Sequence, residues 1–165
     1  LRDTLKVDGD GSAPVIEMES FMFTEMGENV LIYGSNAQAF DAALWLTVHK
    51  KHVTMITPNA AEEMDMQQSQ HAMRMMTTAL YSLGFSAWPK ASLKSVNQNK
   101  AVIMTEAGVE MEIACDAIVN AADMLPNTSL LEGLSVAETY AVGDCANPFN
   151  IAKAIHAGND AGRAV

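Results

Sequence analysis

Gly34, Asn36 and Ala39 stand at the three positions of a strand-to-helix turn that cradles phosphate when it reads G-x-G-x-x-G or G-x-G-x-x-A. Glycine at the first position permits the tight turn, and a small residue at the third lets the helix pack closely on the strand. Such a turn aims backbone N–H groups and the positive end of a helix at one point, which suits a nucleotide diphosphate. Asn36 departs from the pattern. Asparagine tolerates left-handed backbone better than most residues, so the turn can form, but its amide crowds the phosphate. Gly34, Ser35, Asn36, Ala37 and Gln38 are the candidate diphosphate-binding residues. Two outcomes stay open from the residues alone: a nucleotide site, and a turn retained as scaffold.

The flanking elements must deliver that turn. Val30 to Tyr33 is a four-residue apolar run, as in a strand covered on both faces of a parallel sheet. Phe40, Ala43, Leu44 and Val48 recur at helical spacing, and His52 to Thr57 reads as a second buried strand. Upstream, residues 1–13 read as a polar linker or a disordered end, and 14–26 as short pieces along the domain edge. Glu17, Glu19, Glu25 and Glu28 read there as a solvated face. Downstream, Pro58-Asn59 marks a turn, and a helix is expected from Met66 to Leu83. Met66, Met73, Met76, Leu80 and Leu83 form its core-facing stripe.

The pattern then changes to alternation. Residues 92–96, 101–105 and 109–113 read as three short strands of a meander, and Asp116 to Ala122 returns as a buried strand. Residues 123–136 read as loop, with Pro126-Asn127 as punctuation. After Thr139 to Cys145 comes a helix from about Asn150 to Val165, rich in small residues at Ala154, Gly158, Ala161 and Gly162. That composition suits a helix with backbone or cofactor close against it. The fold class is α/β: a Rossmann-like three-layer domain over residues 14–138, with a parallel sheet and a three-stranded antiparallel meander as crossover. Residues 139–165 read as the closing strand and helix of a further domain.

Composition narrows the function classes. The 165 residues fit one domain, or one and a piece; 49% hydrophobic and 18% charged content argues for a packed core. A net charge of −10 opposes nucleic acid and anionic membrane as partners. Cys115 and Cys145 form no C-x-x-C pair, so no disulfide framework or zinc or iron–sulfur ligand set is expected. This suits a reducing cytoplasm. Cys115 reads as core, and Cys145, a lone thiol beside Asp144, gives no redox motif. The basic run His49-Lys50-Lys51-His52 complements a helix C-terminus, with a phosphate contact by Lys50 or Lys51 as the minor alternative. The first residue, Leu1, suggests a piece of a longer protein. No catalytic residue and no metal ligand is assigned.

Three features together resemble one family. Tyr140 to Cys145 followed by Asn150-Ile151-Ala152-Lys153-Ala154-Ile155-His156-Ala157-Gly158 looks like a closing flavin motif. Asn29 to Thr57 looks like an internal nucleotide-binding unit, and Ala117 to Asn127 is similar to the strand and turn that follow the meander. The chain thereby resembles the C-terminal NAD(P)/FAD-binding region of the NADH:flavin oxidoreductases. That group includes 2,4-dienoyl-CoA reductases, enoate reductases and trimethylamine dehydrogenase.

The resemblance implies that Gly34 to Ala39, with Ala121 and Ala122 at the end of the returning strand, hold NAD(H). It implies that Gly143 and Asp144 meet FAD, with the helix that starts near Asn150 aimed at the flavin and Ile151 in its first turn. FMN and an iron–sulfur cluster would belong to parts outside this chain, and the remaining domains of the parent polypeptide would be its partners. Hydride would pass from NAD(P)H to flavin for reduction of an enoate- or dienoyl-type substrate. Departures limit this. No G-x-G-x-x-G precedes residue 29, so the chain holds only the closing part of a flavin site. The acid expected at the end of the second strand, on the adenine ribose, is Thr57. No arginine follows to pair with a 2′-phosphate, and Glu62 and Glu63 would repel one, so NADH or ADP is expected over NADPH. The competing reading is a decayed nucleotide domain serving as a structural or docking scaffold.

Overall fold

The computed structural model describes residues 2–64 and 69–164. In chain order its strands and helices are β1 (Asp8–Gly9), β2 (Val15–Glu17), β3 (Asn29–Tyr33), α1 (Ala37–Val48), β4 (His52–Ile56), α2 (Gln70–Ser82), β5 (Ser86–Trp88), β6 (Ser92–Asn97), β7 (Lys100–Met104), β8 (Glu110–Ala114), β9 (Ala117–Asn120) and α3 (Ile151–Ala164). The chain divides into two compact units, Thr4–Ala122 and residues 2–3 with 123–164.

The larger unit has three layers. Its centre is a parallel sheet in the order β2-β9-β3-β4-β5, and alternate residues of its buried strands feed two cores. Val30, Ile32, Val53, Met55, Ala117 and Val119 face one core with Phe40, Leu46 and Leu80 of the helices. Leu31, Ile56 and Ile118 face the other, with Val96, Ala101 and Ile103 of the second sheet. A strand period of two sorts the side chains in this way, and burial on both faces explains the continuous apolar runs. The expected Rossmann-like α/β architecture with a meander crossover is therefore the observed one.

Several local expectations shift. The meander gains a fourth strand, because β1 runs parallel to β6 inside the segment expected as linker. The reason lies in the β6–β7 turn, where Gln98 and Asn99 take left-handed backbone at φ 52° and 57°. Their N–H groups point outward, and Asp10 and Ser12 accept them at 2.9 Å each. Helix α2 begins at Gln70 with Ser69 as its cap, accepting the Ala72 N–H at 3.3 Å. Met66 of the expected stripe lies outside the described residues; Met73 and Met76 pack on the core, and Leu83 is exposed.

In the smaller unit, the segment from Thr139 to Cys145, expected to bring the closing strand, pairs with no strand among the described residues. A strand needs a ladder partner for its backbone groups, and the described residues of that unit form only the isolated bridge Arg2–Met124. Its helix α3 matches the expected span within a residue at each end. No described helix is long and apolar enough to cross a membrane.

Candidate functional site

Strand β3 is followed through α1 by β4 on one side and is flanked by the late strand β9 on the other. The strand order therefore reverses between β3 and β9, and in open parallel sheets ligands bind outside the carboxyl ends of strands at such a reversal. Gly34 leaves β3 at that point, with its N–H donating to the Ile56 carbonyl at 2.9 Å. Its φ is +123°, and a Cβ there would collide with the Ala121 carbonyl. Only glycine lets the two strand ends approach backbone to backbone. The Ala121 N–H in turn donates to the Tyr33 carbonyl at 2.8 Å.

Asn36 is the cap of α1, and its backbone is extended (φ −78°, ψ 175°). Tolerance of left-handed backbone is thus not what the position uses. The side-chain Oδ1 accepts the Ala39 N–H at 3.1 Å, while Nδ2 donates to the Ala121 carbonyl at 2.9 Å. One carboxamide therefore satisfies a first-turn donor of the helix and ties that helix to β9. The residue is 8% exposed. Asparagine three positions before Ala39 is a capping signal in its own right, and that signal was available in the sequence. Ala37 is half-buried and Gln38 exposed on the first turn.

Thr57 sits at the end of β4 but carries no exposed surface. Its Oγ1 lies 3.0 Å from Ser35 Oγ and accepts the Asn59 N–H at 3.2 Å. Asn59 reaches back as well, its Nδ2 3.4 Å from Ser35 Oγ. The hydroxyl expected on a ribose is thus part of the scaffold under the turn. Ser35 is equally buried, at 2%. At the end of β9, Asn120 is buried; it accepts the Ala122 N–H at 3.2 Å and donates to Glu17 at 3.0 Å. Gly34, Ser35, Asn36, Thr57, Ala121 and Ala122 are thus brought together along one carboxyl edge of the sheet.

The basic run lies at the other end of α1, about 18 Å away for a helix of this length. There Lys51 donates to the Met26 carbonyl at 2.8 Å, and His49 stacks on Trp45 at 3.9 Å between ring centroids. Lys51 is thereby engaged away from the turn, and Lys50 is exposed at the same far end. Cys115 is buried; desolvation first, and then the charge of Asp116, pushes its thiol up to about 12.

Gly143, Asp144 and Ile151 belong to the smaller unit. Gly143 (φ +70°) opens a single helical turn, its carbonyl accepting from Ala146 and Asn147 at 3.0 and 2.9 Å. Asp144 is exposed, Ile151 is 80% exposed, and the Asn150 side chain caps α3 by accepting the Lys153 N–H at 2.9 Å. No described residue of this unit is buried. One exposed carboxylate and one capped helix do not enclose a flavin, so the residues present do not form a complete site for it. Among the described residues no cluster suits a metal ion.

No protein-family model matches the sequence, and no curated protein matches it. Solved structures do share its fold. A 2-naphthoyl-CoA reductase complexed with 2-naphthoyl-CoA superposes with a TM-score of 0.77 at 19% identity, over 100% of this chain and 26% of that one. Histamine dehydrogenase from Rhizobium sp. 4-9 gives 0.77 at 18%, over 99% of this chain and 28% of that one. An HOCl-induced flavoprotein disulfide reductase from Escherichia coli gives 0.65 at 15%, over 96% and 41%. The chain thus spans about a quarter of the length of the first two structures. It has the fold of the region it covers in them, and both fall in the NADH:flavin oxidoreductase group that its sequence resembles.

Proposed function

We propose that the larger unit binds the diphosphate of an adenine nucleotide, NADH or ADP, at the turn between β3 and β9. In this reading the chain is the nucleotide-binding part of a flavoprotein oxidoreductase that passes hydride from NADH to flavin. The observation that carries it is Gly34: a forced glycine at the reversal of strand order, opening directly into a helix. Ala37 and Gln38 on the helix side and Ala122 on the β9 side would meet the ligand, with Ser35, Asn36 and Ala121 buried beneath them as the turn's support. FAD would need the rest of the parent polypeptide, with Gly143, Asp144 and Ile151 supplying one wall. Enoate or dienoyl reduction would be the parent's reaction, and a reducing cytoplasm suits the two free thiols.

A second reading has its own observation. Asn36 already gives the helix the acceptor that a phosphate would supply, as a decayed site kept for scaffolding would. Isothermal calorimetry of the chain with NADH, NADPH, ADP and FAD separates the two. Binding of NADH and ADP, each tighter than NADPH, is the expected result. Silence with all four ligands would leave the scaffold reading in possession, and tighter NADPH binding would overturn the cofactor preference.

A further inference from the structure

We propose that Asn59, rather than Thr57, reads the adenine ribose, and that Glu63 beside it rejects a 2′-phosphate; this rests on the nucleotide reading above. A ribose is met just beyond the end of the second strand of such a unit. Here that strand ends at Ile56, and the next side chain, Thr57, is fully buried with its hydroxyl committed to Ser35 and to the Asn59 backbone. Pro58 is exposed and has no donor or acceptor in its side chain. Asn59 is the first side chain after β4 that combines partial exposure with hydrogen-bonding groups.

Its placement is fixed from three directions. Its N–H holds Thr57 Oγ1, its carbonyl accepts the Lys90 N–H at 2.9 Å, and Nδ2 leans on Ser35 Oγ at 3.4 Å. Ser35 directly follows Gly34, so the carboxamide lies beside the diphosphate turn. Oδ1 accepts no hydrogen bond among the described residues and suits a ribose hydroxyl as donor.

The surrounding charge selects against a phosphorylated ribose. Ala60 donates its N–H to Glu63 Oε2 at 2.9 Å, which fixes that carboxylate on the turn immediately after Asn59. Glu62 is exposed on the same turn. Lys90, a cation near this corner, has its ammonium paired with Glu106 at 2.6 Å. A 2′-phosphate would therefore meet carboxylates and a cation already engaged.

The test compares ADP with 2′-deoxy-ADP, and NADH with NADPH, by calorimetry on the whole chain. The unmodified protein is expected to bind ADP about tenfold tighter than 2′-deoxy-ADP, the value of one well-made hydrogen bond. Asn59→Ala should bring that ratio close to one, Asn59→Asp should keep it, and Glu63→Gln should narrow the preference for NADH several-fold. A merely structural Asn59 would shift both affinities together and leave the ratio intact, which would overturn the assignment while the nucleotide reading stood. A ratio of one in the unmodified protein, or its loss in Asn59→Asp, would overturn it equally. An unchanged NADH preference in Glu63→Gln would remove Glu63 from the proposal. Failure of the unmodified chain to bind ADP or NADH would instead overturn the nucleotide reading itself.

Discussion

Asn36 shows how much one side chain can alter a recurrent turn. In a glycine-rich version the first-turn amides await an anion; here a carboxamide takes the Ala39 N–H and spans to β9. Asn36→Ala removes the cap and the tie to the Ala121 carbonyl together. It should cost about 1–2 kcal/mol, read as a lower urea midpoint with an unchanged slope. A neutral Asn36→Ala would mean that the clamp contributes nothing to folding. The residue pattern G-x-N-x-x-A was legible as a turn, whereas the direction of the Asn36 side chain was not. Spacing reports which position a residue holds but not which of two neighbouring acceptors its amide will find. Thr57 carries the same lesson: a hydroxyl at a strand end reads as a ligand contact until Ser35 is seen 3.0 Å from it.

At the scale of elements, apolar runs and helical spacing were enough to find β3, α1, β4, β9 and the meander, because burial on both faces or on one stripe leaves a periodic trace. Strand β1 left no such trace. It is two residues long, exposed, and held through backbone and turn contacts whose partners lie far along the chain. The segment from Thr139 to Cys145 shows the complementary case, since residues suited to extension form no strand without a neighbour. Asp116, just before β9, joins elements that sequence reading treated separately. Its Oδ2 accepts the Asn29 N–H and Nδ2 at 2.9 and 3.0 Å, and its Oδ1 accepts Asn99 Nδ2 at 3.2 Å. The Asn29 backbone hydrogen bond above all holds its carboxyl below the ordinary carboxylate range. A group with a depressed folded-state pKa contributes stability above its unfolded value, and that contribution fades as pH falls through the folded one. Asp116→Ala should therefore destabilise most near neutrality and progressively less below about pH 4. Urea midpoints at pH 7 and pH 3 check this; an equal penalty at both would show that the charge is not what matters.

On the scale of the whole molecule, the two units differ in kind. The larger has two cores, one on each face of its parallel sheet; the smaller has no buried residue among those described. Protection from hydrogen exchange follows burial and local contact density. Amides of β3 and β9 should exchange orders of magnitude more slowly than those of α3, measured by mass spectrometry on the intact chain. Comparable protection in α3 would show that something covers Ile151 and Ile155, which are 80% and 65% exposed.

The contact between Gly34 and the Ala121 carbonyl has a mechanical corollary. With no side chain interposed, neither strand end can give way separately, and the Asn36 carboxamide locks the helix onto the same seam. An incoming anion would meet a mouth already set to its final width. Selectivity would then reside in the rim, at positions such as Asn59, and drift there could retune or silence recognition while the parallel sheet stayed as it is.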